Sequence, residues 1–140
     1  MKPILSSEQR RRIASGIRDR YARVAAGPDG HFAYPTGREG LERLQYDQML
    51  LAKLSHEVAS SYCGVGNPFA LGEIHPGERV LDVGCGAGVD TILAGFLVGP
   101  KGLSAGVDIV PEMMARAHKN RETTGVDNVV FQNASGEALP

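Results

Sequence analysis

The stretch Arg79-Val80-Leu81-Asp82-Val83, closed by Gly84-Cys85-Gly86-Ala87-Gly88, constrains this chain more than any other. A short run of branched apolar residues ending in alternating glycines reads as a buried strand entering a tight loop, and Val89 to Val98 reads as the helix that follows. The texture then repeats. Leu103 to Val107 is a second strand ending in Asp108, and Val129-Val130-Phe131 is a third. Between them Pro111 to Thr124 is a helix, with proline in its first turn and Gly125 just past its end. Strands alternating with helices of about ten to fifteen residues predict a parallel α/β sheet. Right-handed crossovers set the strands side by side in the order third, second, first.

Upstream the pattern is helical. Ser6 with Gln9 forms a capping-box start, and Ile13, Ile17, Tyr21 and Val24 make one apolar stripe. The Gly- and Pro-rich segment from Gly27 to Gly40 reads as a loop, residues 41–60 as one helix or two, and Ser61 to Pro76 as irregular connection. The expected organisation is a helical N-terminal cap over 1–60 and an α/β ligand-binding region over 61–140.

Composition excludes several classes. A net charge of -1 over 140 residues with 42% apolar content is neither a uniformly charged polyelectrolyte binder nor an acidic disordered tail. No apolar run approaches the roughly 18 residues of a membrane span. The opening MKPILSSEQRRR lacks a secretory apolar core, so the expected location is cytoplasmic. Two cysteines, Cys63 and Cys85, make neither a disulfide scaffold nor a structural metal site. Residues 1–26 hold seven basic side chains, among them Lys2 and Arg10-Arg11-Arg12, against two acidic ones, so the other 114 residues carry -6. The basic helix reads as an amphipathic cap laying Ile13 and Ile17 over the cleft. Roles on nucleic acid or an anionic membrane are disfavoured, because aromatic interleaving is absent.

A glycine loop between a strand and a helix is a nucleotide-type site, and an acid about twenty residues on binds ribose hydroxyls. Asp108 fits that position. The spacing is GxGxG, with Asp82 two residues before it, Asp90 in the first turn of the helix, and no Lys or Arg between Arg79 and Lys101. Two carboxylates repel a pyrophosphate and suit a ligand that carries ribose and a positive charge. S-adenosylmethionine is such a ligand.

Val80 to Gly88 resembles motif I of class I S-adenosylmethionine-dependent methyltransferases. Gly106-Val107-Asp108-Ile109 with Pro111-Glu112-Met113 is similar to their second motif, and Phe131 through Pro140 to their third. Gly66-Asn67-Pro68, Pro76-Gly77-Glu78 and Val98-Gly99-Pro100 resemble the arsenite methyltransferase branch. The resemblance implies a Rossmann-like parallel sheet with flanking helices, of which about three strands are present. It implies that Asp82 and the backbone of Gly84, Cys85, Gly86 and Gly88 hold the methionine end. Asp108 would take the ribose hydroxyls and Ile109 would pack on the adenine. Ser135 stands where the family often has an acid reaching the adenine amino group.

The implied partner is a small-molecule or metalloid methyl acceptor. Val65 replaces the arsenite branch's cysteine before Gly-Asn-Pro, and one copy of the chain cannot assemble a three-thiolate site. Cys63 is read as a small thiol in preference to a metalloid ligand. No catalytic residue is assigned among His31, His56, His75, His118, Tyr21 and Tyr34. The alternatives are a binding-only or truncated module and a nucleotide-dependent oxidoreductase. With the family's seven-strand sheet only partly present, the chain is expected to be the N-terminal part of a longer enzyme or to complete its sheet by oligomerising.

Overall fold

The computed structural model describes residues 5–140, so Lys2 and the first four positions of the N-terminal reading lie outside the described residues. Helix α1 covers Ser7–Val24 and begins as its sequence dictates: Ser6 Oγ accepts from the Gln9 amide while Gln9 Oε1 accepts from the Ser6 amide.

The segment expected as one or two helices over 41–60 is three short ones: α2, Gly37–Arg43, α3, Gln48–Leu51, and α4, His56–Ser60. The first starts inside the expected loop of 27–40. Two side-chain caps cut the pattern: Asp47 Oδ1 accepts from the Leu50 amide at 2.9 Å and Ser55 Oγ from Val58 at 3.3 Å. Gln45, left-handed at φ 58°, turns the chain after α2. Within the expected irregular stretch Pro68–Leu71 makes a 3₁₀ turn. Its cap Asn67 donates to the carbonyls of Leu44 and Gln45 at 3.3 and 3.2 Å, satisfying acceptors that the end of α2 leaves orphaned.

Strands β1 (Arg79–Val83), β2 (Leu103–Asp108) and β3 (Val129–Asn133) form one parallel sheet in the order β1-β2-β3, as expected. Val80 is in register with Ser104, and Ser104 with Val129. Helices α5 (Val89–Val98) and α6 (Pro111–Thr124) lie on one face, as two successive right-handed crossovers require. That face is tied by Ser104 Oγ donating to the Thr91 carbonyl (2.8 Å) and by Asn128 Nδ2 donating to the carbonyls of Gly95 and Gly99 (2.9 and 2.7 Å).

The apolar core runs without a break from Leu41, Leu51 and Val58 of the short helices to Ile92 and Leu93 of α5 and Val129 of β3. On the opposite face of the sheet Leu81, Val83 and Val130 stay about half exposed. No helix among the described residues is long and apolar enough to cross a membrane.

Candidate functional site

The carboxyl ends of β1 and β2 meet at the glycine loop, where a ligand of an open α/β sheet is expected. Gly84 and Cys85 both donate their amides to the Val107 carbonyl, at 2.8 and 3.0 Å. Gly86 donates to Asp108 Oδ2 at 2.9 Å, and Gly88 to the Cys85 carbonyl at 2.9 Å. The N–H groups of these four residues are therefore committed inside the fold, and the hydrogen-bonding groups they have left are carbonyl oxygens. Three carboxylates surround them. Asp82 Oδ2 accepts from Thr91 Oγ1 at 2.7 Å, Asp90 Oδ1 accepts from the Tyr46 hydroxyl at 2.7 Å, and Asp108 Oδ1 accepts from the Val110 amide at 3.0 Å. Each Asp108 oxygen keeps a lone pair beyond the bond it already accepts. The loop carbonyls and the carboxylates accept hydrogen bonds and cation contacts, and the amides of Ala87 and Val89 at the start of α5 remain as donors beside them.

These groups edge a cavity of about 1050 Å³. Of the eight residues singled out from the sequence, Asp82, Gly84, Cys85, Gly86, Asp108, Ile109 and Ser135 line it, and Gly88 does not. Gly88 has a packing reason instead. It is left-handed at φ 80°, and a Cβ there would run into the Phe131 ring and the side chain of Ala117. Ile109 packs beside Ala87, Val110 and Met113. Ser135 Oγ accepts from the Glu137 amide at 3.1 Å, which leaves its proton free to donate.

Sequence reasoning missed the wiring behind Asp90. Tyr46 is buried, its hydroxyl 3.0 Å from that of Tyr62, and the Tyr62 hydroxyl is 3.0 Å from the Gly66 carbonyl. This chain ties the short helices to the start of α5 across 44 residues of sequence. Burial pushes the Tyr62 phenol up to about 12 and the Tyr46 phenol higher still, so both remain proton donors.

Burial raises the Asp82 carboxyl, with Thr91 pulling it down and Asp108 pushing it up. It raises Asp90 to about 7, against the Tyr46 hydrogen bond and with the help of Asp82. An acid that keeps its proton to about pH 7 when folded, and loses it near 4 when unfolded, binds the extra proton in the native state between those values. Stability should thus fall as pH rises from about 4 to about 7. Urea midpoints measured across that range should show the decline, and Asp90→Asn should flatten it; an unaltered slope in the variant would assign the decline to other groups.

The remaining candidates separate cleanly. His31, His56, His75 and His118 are all exposed and none lines the cavity. Tyr21 and Tyr34 do line it, but the Tyr34 hydroxyl donates to the Cys63 carbonyl at 2.9 Å. Both cysteines line it too. Burial pushes the Cys63 thiol up to about 11, helped by Asp108, and the Cys85 thiol higher, helped by Asp82 and Asp108. Both therefore hold their protons at neutral pH. Ile13 and Ile17 lie along the cavity.

A parallel sheet with a glycine turn at its carboxyl edge and an acid at the end of the second strand defines a Rossmann-like nucleoside-binding architecture. Residues 74–140 match the methyltransferase domain family. The arsenite methyltransferase of Halobacterium salinarum is 38% identical over 138 residues, covering 89% of this chain and 35% of that protein. A protein-L-isoaspartate O-methyltransferase of Aeropyrum pernix is 42% identical over 66 residues, covering 47% of this chain and 25% of that one. Among solved structures, a SAM dependent methyltransferase from Aquifex aeolicus has 32% identity and a TM-score of 0.45, covering 47% of this chain and 35% of its own. An arsenic (III) S-adenosylmethionine methyltransferase from Chlamydomonas reinhardtii has 29% identity and a TM-score of 0.47, covering 73% and 33%. The chain spans about a third or less of the length of these curated relatives.

Proposed function

We propose that this chain carries the donor-binding part of an S-adenosylmethionine-dependent methyltransferase acting on a small molecule or metalloid. The observation that carries the reading is the glycine loop, whose Gly84, Cys85, Gly86 and Gly88 amides are committed internally, with Asp82 and Asp108 beside it. In this reading Asp82 and the carbonyls of Gly84, Cys85 and Gly86 hold the ammonium of the methionine end. Asp108 takes the two ribose hydroxyls on its spare lone pairs, Ile109 packs on the adenine, and Ser135 faces its amino group. Gly88 holds the loop close to α6 and β3. Residues 1–60 act as a cap over a binding region of 61–140, in a cytoplasmic protein.

When bound, S-adenosylmethionine supplies a methyl group on a positively charged sulfur that is already a good leaving group. The chain's task is alignment and exclusion of water. Ile13, Ile17, Val65 and Met113 supply apolar wall for that purpose. A general base is needed only for an acceptor whose nucleophile is protonated, and no histidine of the chain reaches the cavity. Metalloid transfer, named for the Halobacterium relative, would have to begin from the two protonated thiols of Cys63 and Cys85.

Transfer of radiolabelled methyl from S-adenosylmethionine to a panel of arsenite, thiols and small phenols tests the reading. Label on at least one acceptor is expected; tight binding of S-adenosylhomocysteine with label on none would favour the binding-only module. The half-exposed face of Leu81, Val83 and Val130 is proposed to be covered by a second copy or by a C-terminal half of the domain. In the second-copy version light scattering should give a dimer or larger for this 140-residue chain, and a well-folded monomer at high concentration would sink that version.

A further inference from the structure

The N-terminal part of α1 presents a face that the described residues leave uncovered. Arg10, Ile13, Ala14, Ile17, Arg18 and Tyr21 all line the cavity, and their spacing puts them on one side of the helix. Ile13 and Ile17 keep 48% and 42% of their surface exposed, so the apolar stripe meets the cavity and not a core. The helix is anchored at its other end, where Tyr21 and Val24 pack with Ala87, Val110 and Met113.

Charge divides the same space. Asp82 and Asp108 edge the glycine-loop side and Arg10 and Arg18 the helix side. The ion pairs among the described residues are Arg38–Glu42, Arg43–Glu39 and Lys119–Glu57, so neither cavity arginine is neutralised by a described carboxylate. Arg10 uses its Nε on the Leu5 carbonyl at 3.2 Å, which leaves its terminal nitrogens available. A volume of about 1050 Å³ lies just above the ~300–1,000 Å³ range of single small-molecule sites, which leaves room for a second molecule beside the first.

We propose that the space beneath α1 binds a small organic carboxylate with an apolar body, lying on Ile13 and Ile17 with its head group on Arg10 or Arg18, as the second ligand of the site. The inference rests on the donor reading above and narrows its acceptor side. Guanidinium groups bind carboxylates through paired, charge-assisted hydrogen bonds, which an uncharged head group cannot match. An uncharged metalloid hydroxide would use neither the arginines nor the apolar stripe. A cation held by the acidic side would offset its repulsion of the carboxylate, so the two ligands should favour each other.

The test titrates the full 140-residue chain, saturated with S-adenosylhomocysteine, with octanoate and with its neutral counterpart octanamide. Octanoate is expected to bind at least tenfold more tightly, and its affinity should fall as salt is raised. The double variant Arg10→Gln/Arg18→Gln should bring octanoate down to the level of octanamide while leaving S-adenosylhomocysteine affinity unchanged. The charge-preserving pair Arg10→Lys/Arg18→Lys should retain part of the preference. Equal affinities for the two probes, no binding of octanoate, or full octanoate affinity in the glutamine variant would each overturn the proposal. Repeating the titration without S-adenosylhomocysteine keeps the two readings apart. Failure of that nucleoside to bind beside intact octanoate binding removes the donor reading alone, and the converse removes this one alone.

Discussion

Replacing Asp108 by alanine is expected to weaken S-adenosylhomocysteine binding by about two to four orders of magnitude. The proposed contact is two charge-assisted hydrogen bonds from ribose hydroxyls, each worth about 1.5–3 kcal/mol, and about 1.4 kcal/mol is a factor of ten. The substitution also strips the Gly86 and Val110 amides of their acceptors, at 2.9 and 3.0 Å in the native chain. Part of the loss would therefore come from a loosened loop. Asp108→Asn separates the two effects, because its remaining carbonyl can still accept from one amide while the charge is gone. Its affinity should fall between native and alanine. Calorimetric titration of the three proteins reads this directly, and an unchanged affinity in the alanine variant would move the nucleoside to another place.

Gly88→Ala should be the most destabilising single methyl added to the loop. A left-handed backbone at φ 80° costs a non-glycine residue about 1–2 kcal/mol. The new Cβ would also be driven into the Phe131 ring and would lie 3.1 Å from Ala117 Cβ, an overpacking of about 1–3 kcal/mol. The combined cost is about 2–5 kcal/mol. Gly125→Ala supplies the control, since Gly125 is left-handed at φ 71° with nothing within 4 Å of its would-be Cβ. It should show the conformational cost alone. Urea unfolding of both variants measures the difference, and equal losses would mean that the loop, α6 and β3 are not in the contact described.

The second half of the chain could be read from its sequence because each of its signals is local. Val80-Leu81 and Val129-Val130 are short apolar runs bounded by breakers, and the αL glycine at 125 ends α6 where the sequence marks it. The segment from Gly37 to Ser60 was less legible for a physical reason. Helices of four to seven residues gain little from propensity. What holds them is burial of Leu41, Leu51 and Val58 in a core shared with α5, and this continuity blurs the caps at Asp47 and Ser55 into one helical period.

The site divides the same way. Asp82 and Asp108 are legible from spacing, because a strand end and a glycine loop fix where they point. The tie from Tyr46 to Asp90 joins residues 44 apart through tertiary packing alone, and nothing periodic announces it. Gly88 belongs to the visible glycine pattern, yet its reason for being glycine lies in Phe131, on a strand two crossovers away.

Whether carbonyls and carboxylates around a bend of bare backbone prefer an adenosyl cation to a dinucleotide is best settled by one competitive calorimetric experiment at neutral pH. Injected alone, S-adenosylmethionine should bind with one-to-one stoichiometry while NAD gives no heat of binding, and excess NAD should leave the first titration unchanged. Saturable NAD binding, together with no response to S-adenosylmethionine, would contradict the account at its root.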